Sequence, residues 1–75
     1  MKKYEVIREI YNACSDTWQI DYRFSPFIDT KDPESYLRET FGEELRIEEL
    51  SAESSDERVF IVHKELPEKY FFLLA

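Results

Sequence analysis

Apolar residues recur in the first segment at Tyr4, Ile7, Ile10, Tyr11 and Cys14, the i, i+3, i+4, i+7 spacing of an amphipathic helix. Glu5, Arg8, Glu9 and Asn12 fall on the opposite side of the wheel. A strand would instead put Arg8 and Asn12 on the same face as Val6 and Ile10. The spacing predicts a helix over about 3–14, with Cys14 on its apolar face. The polar run Ser15-Asp16-Thr17, whose side chains compete for backbone groups, would end it.

The period then changes from 3.6 to 2. Trp18, Ile20, Tyr22 and Phe24 alternate with Gln19, Asp21, Arg23 and Ser25, which predicts a half-buried strand with its aromatic residues beneath the helices. Pro26 stops its ladder or places it at an edge. Asp32-Pro33-Glu34 is a helix start: a capping carboxylate, a ring that presets φ, and an acid at the positive end of the dipole. Tyr36, Leu37, Thr40 and Phe41 continue one helical face, and Gly42 supplies the glycine that commonly ends a helix. The predicted helix spans 33–41.

Residues 43–55 fit two descriptions. Leu45 and Ile47 alternate with Glu44, Arg46 and Glu48, as a strand would, but Leu50 and Ala52 have switched parity, which implies a bulge or a weakly specified edge. The glutamates would also suit a helix. The strand is preferred because Arg58 to His63, apolar on both faces, reads as a central strand that needs partners. Ser54 to Glu57 and Leu66 to Lys69 are turns, and Tyr70 to Ala75 is a last strand. The expected fold is a single small α+β domain over residues 1–75, in the order α-β-α-β-β-β. Its sheet of about four strands would be antiparallel or mixed, with two helices packed on one face.

Composition narrows the function classes. Seventeen Asp and Glu against ten Lys and Arg leave a net charge of −7 in 75 residues, the opposite of the basic footprint of a nucleic-acid binder. A lone cysteine excludes an internal disulfide framework and fits a reducing, cytoplasmic setting. The first residues lack the apolar run of a secretion signal, and no stretch reaches the roughly 20 apolar residues of a membrane span. One glycine leaves no phosphate-cradling loop.

Little here carries chemistry. Cys14 has no neighbouring cation or histidine to activate a thiolate. His63, on the face of Val59 and Ile61, lacks the paired spacing of a metal site. Asp29 and Asp32 stand three apart in a loop without the glycine and closing glutamate of a calcium site. Glu39, Glu43, Glu44, Glu48 and Glu49 dominate residues 21–50, where nine acids and four bases leave −5; they form a candidate docking face for a basic partner. Twelve aromatic residues are many for so small a core, so the last strand is a candidate interface, through Tyr70, Phe72 and Leu74 or through the opposite parity of the same strand.

The expected function is a non-catalytic interaction or assembly module, a homodimer or one subunit of a complex. It would need no cofactor and no metal, and would contact neither nucleic acid nor membrane. Two other readings compete: an acidic mimic that inhibits a nucleic-acid-binding protein, and a small ligand-binding protein or enzyme using His63.

Overall fold

β-Branched and aromatic residues fill the first segment, and they decide its conformation. The computed structural model describes residues 1–24 and 26–75. Lys2–Asn12 is a strand, β1, and not the predicted helix. Tyr4, Val6, Arg8 and Ile10 share one face; Glu5, Ile7, Glu9 and Tyr11 share the other. A helix would strand Val6 on its polar side, whereas the strand uses both Val6 and Ile7, and β-branched residues fit a pleated surface well. The objection to a strand was Arg8 on the inner face. The fold answers it: Arg8 Nε donates to Asp21 Oδ2 at 3.2 Å, and its guanidinium lies 4.2 Å from the centre of the Phe24 ring.

A hairpin follows in place of a helix end. Asn12 pairs with Thr17, and within the loop Asn12 Oδ1 accepts from the amide of Cys14 at 3.0 Å. Asp16 adopts a φ of 53°, which Asp tolerates better than most residues, and its carboxylate accepts from the Tyr11 hydroxyl. Cys14 is therefore exposed in a turn and not buried on a helix.

The strand predicted from Trp18 to Phe24 ends early, at Ile20, and a further strand forms beyond Pro26. β2 (Thr17–Ile20) pairs with the end of β1, and β3 (Phe27–Thr30) pairs with its beginning. Residues 21–24 and Pro26 thus stand opposite only residues 6–8 of β1, an extended bulge bridged by Asp21 N–H to the Arg8 carbonyl (2.8 Å) and Val6 N–H to the Pro26 carbonyl (3.0 Å). Trp18, Tyr22 and Phe24 consequently do not share a face. Trp18 pairs with Tyr11, Tyr22 is 87% exposed, and Phe24 packs against the core. Ser25 lies outside the described residues.

The helix α1 (Pro33–Phe41) forms where its signals put it. Asp32 caps it by accepting from the Ser35 amide at 3.2 Å, and Gly42, at φ 86°, returns its N–H to the Arg38 carbonyl at 2.8 Å. Beyond it run β4 (Arg46–Leu50), β5 (Glu57–His63) and β6 (Glu68–Leu74), which pair in succession as an antiparallel meander. Closing β6 on β1 places the first and last strands side by side in the sheet interior, in the order β2-β1-β6-β5-β4, with β3 also on β1. Every pairing is antiparallel. The expected α+β domain with two helices and four strands is therefore corrected: the described residues form one sheet of six strands, holding 51% of the chain, with a single short helix.

That helix covers one face. Leu37 of α1 is buried against Tyr4, Val6, Phe60, Val62, Tyr70 and Phe72. Phe72 is fully buried and meets the rings of Tyr4 (6.1 Å, 84°), Tyr36 (6.1 Å, 76°) and Phe60 (5.8 Å, 86°) edge to face, each contact contributing about 0.5–1.5 kcal/mol beyond area burial. Arg58 ties the cap to the sheet. Its Nη1 donates to Asp32 at 2.7 Å, its Nε and Nη2 grip both oxygens of Glu49 at 2.9 Å, and its guanidinium lies over Phe60. Those bonds to Arg58 are the largest cause holding the Asp32 and Glu49 carboxyls below their ordinary values of 3.8 and 4.5.

Two outcomes test this packing. Phe72→Ala is expected to cost about 3–5 kcal/mol in urea unfolding, while Phe71→Ala, one residue along and half-buried on the other face, costs about 1 kcal/mol; equal losses would contradict the parity of β6. Depressed carboxylates contribute stability above their unfolded pKa that is lost as pH falls through the folded value. The native chain should therefore exceed Arg58→Met in urea midpoint at pH 6, and the gap should close as pH falls below about 4.

Candidate functional site

The second face of the sheet has no helix on it. The pairing registers align its side chains in rows that run across the strands. Leu50 stands opposite Val59, Val59 opposite Phe71, and Phe71 opposite Ile7, so one apolar row crosses β4, β5, β6 and β1. On one side lies the row Glu57, Leu73, Glu5 and Phe27. On the other lies Glu48, Ile61, Lys69, Glu9 and Ile20. Val59 is buried by its neighbours alone, while Ile7, Leu50, Phe71 and Leu73 are half-buried and Phe27 is 60% exposed. The apolar row and Leu73 form the floor of an open groove of about 410 Å3 rimmed by Glu53, Glu57 and Lys69.

Charges divide unevenly around this groove. Lys69 is spoken for: its Nζ is 4.0 Å from Glu9 Oε1 and 4.5 Å from the centre of the Trp18 ring. Arg46 pairs with Glu48 at 3.4 Å, and Lys3, in register with Asp29, is in no ion pair among the described residues. Glu5, Glu53 and Glu57 are in no ion pair among the described residues.

The interface residues named from the sequence divide by parity. Tyr70 (3% exposed) and Phe72 (0%) belong to the core, where a partner cannot reach them, and Leu74 is 40% exposed at the strand end. The opposite parity of β6, Phe71 and Leu73, faces the groove. The acidic set is dispersed. Glu39 is exposed on α1 and Glu43 and Glu44 in the turn after it. Glu48 and Glu49 point to opposite faces of β4, the former to His63 and the latter to Arg58. These five do not make one face. The row through Phe71 was missed because it needs β1 as a strand; read with period 2, Ile7 would have completed it.

The chemical inventory is scattered as well. His63 Nε2 is 2.9 Å from Glu48 Oε1 on the groove side of the sheet. Cys14 lines a different hollow, of about 790 Å3, beside the paired Arg8 and Asp21, and His63 does not line it. The Tyr70 hydroxyl donates to Glu68 at 2.8 Å, and burial is the largest cause holding its phenol well above the usual value. Asp32 is engaged by Ser35 and Arg58, and Asp29 is exposed on β3. Among the described residues no three His, Cys, Asp or Glu side chains are grouped to hold a metal ion, and no helix is long and apolar enough to cross a membrane. Comparison with protein-family models, curated proteins and solved structures finds no match to this chain.

Proposed function

We propose that this chain is a non-catalytic protein-interaction module whose binding surface is the helix-free face of its sheet. The observation that carries this reading is the row Leu50–Val59–Phe71–Ile7, four apolar residues in direct register across four strands. A sheet with one covered face commonly puts polar residues on the other. Here both faces of β5 and β6 carry large apolar groups, more than the packing of α1 uses. Apolar patches rimmed by polar groups mark interaction surfaces.

A catalytic reading finds less support. The one thiol and the one imidazole lie in different parts of the fold, and the Arg8–Asp21 pair beside the larger hollow already neutralises itself while holding the bulge in place. The dispersal of Glu39, Glu43, Glu44, Glu48 and Glu49 likewise weakens a reading as a mimic of a nucleic-acid backbone, which needs its carboxylates spread over one side.

Substitution on the groove tests the proposal. The immobilised native chain is expected to retain at least one protein from its own cell lysate, or a second copy of itself, and Phe71→Lys should reduce that retention by about tenfold. Leu73→Gln serves as a second variant should the lysine unfold the sheet, with circular dichroism as the check on folding. Retention indifferent to both substitutions, or no retention at all together with a monomer mass in sedimentation, would overturn the reading.

A further inference from the structure

The charges around the groove discriminate between its two simplest occupants, and this step rests on the reading just given. A second copy would have to match the unpaired Glu5, Glu53 and Glu57 with cations from its own groove face. Among the described residues that face sets a single lysine, Lys3, against those three glutamates: Lys69 is on Glu9 and Trp18, Arg46 is on Glu48, and Lys3, in register with Asp29, is in no ion pair. Two chains of net charge −7 would also repel as they approached. Complementarity has to come from a different protein.

We propose that the occupant is a basic amphipathic helix of another protein, lying across the strands along the apolar row. The dimensions agree. The row from Leu50 to Ile7 covers three inter-strand steps of about 4.8 Å, about 14 Å in all, which is the length of about ten helical residues at 1.5 Å each. On its other face the same sheet already packs a helix of nine residues. Glu57 and Glu5 lie in the adjacent row, two strands apart, hence separated by about 10 Å. Lysines or arginines at i and i+7 of a helix are spaced by about 10.5 Å along its axis, so two cations on one flank of the apolar stripe reach both carboxylates together. Glu53, on the rim, is placed for a third. An extended peptide would add to a sheet edge through its backbone and would leave this row uncovered.

The test uses the full chain and two synthetic peptides of fourteen residues, alike in a leucine stripe at helical spacing. One carries lysines at i and i+7 on its flank, the other glutamates. Fluorescence anisotropy should show saturable binding of the lysine peptide, about tenfold or more tighter than the glutamate peptide, and weaker as salt rises. The double variant Glu5→Gln/Glu57→Gln should lose about tenfold, whereas Glu43→Gln/Glu44→Gln, which alters acids outside the groove, should bind like the native chain. Equal affinity for both peptides, or an equal loss in the two double variants, would overturn the proposal. Sedimentation equilibrium of the chain alone separates the remaining outcomes. A dimer abolished by Phe71→Lys would refute the basic helix and leave the interaction face standing; neither peptide binding nor a dimer sensitive to Phe71 would remove both.

Discussion

The ring of Phe72 is the constraint on which the rest of the structure depends. Tyr4 from β1, Tyr36 from α1 and Phe60 from β5 all meet it edge to face, so one side chain joins the first strand, the helix and the meander. Because strand side chains alternate with a period of 2, fixing Phe72 inward fixes Tyr70 inward and Phe71 and Leu73 outward. The β1–β6 and β5–β6 registers then carry the same choice to Ile7 and Val59, and β4 extends it to Leu50. The groove is thus a consequence of the core. No separate device is needed to expose it.

Charge follows the same division. On the helix side, Arg8 and Arg58 are tied to Asp21 and to Asp32 with Glu49, pinning the bulge and the helix cap respectively. Each arginine also covers an aromatic ring, Phe24 or Phe60, so its alkyl stem and guanidinium seal the edge of the core as well as bridging elements. On the groove side, bases and acids pair along one flank, and on the other Glu5, Glu53 and Glu57 outnumber the lone Lys3. The asymmetry, more than the total charge, gives the surface a direction.

The sequence was readable wherever the signals were local. Asp32, Pro33 and Gly42 mark the ends of α1 because capping needs only neighbouring residues, and the two-sided apolar run of residues 58–63 needs no more than its own pattern. The need of residues 58–63 for a pairing partner correctly outweighed the glutamate-rich composition of the segment before them. The first segment failed because Tyr4, Ile7, Ile10 and Tyr11 line up on one helical face, whereas the strand divides them between two faces that are both partly apolar. The decisive facts, Asp21 beside Arg8 and Phe24 beneath it, sit thirteen and sixteen residues away. Trp18, Tyr22 and Phe24 misled for a related reason: the bulge that begins at Asp21 breaks their alternation, and it is set by register on β1. The candidate interface on β6 was found as a strand but not as a face, since parity is decided by which side α1 covers. Glu48 and Glu49, adjacent in sequence, were grouped together although a strand separates them by its thickness.

The most direct measurement is the accessibility of methyl groups to a soluble gadolinium chelate, read by nuclear magnetic resonance on the native chain. Ile7, Leu50 and Leu73 should show strong paramagnetic relaxation, and Val6, Leu37 and Val62 almost none. Comparable relaxation in the two sets, or the reverse order, would mean that the sheet does not have one helix-covered and one open apolar face, and the account built on Phe72 would fail with it.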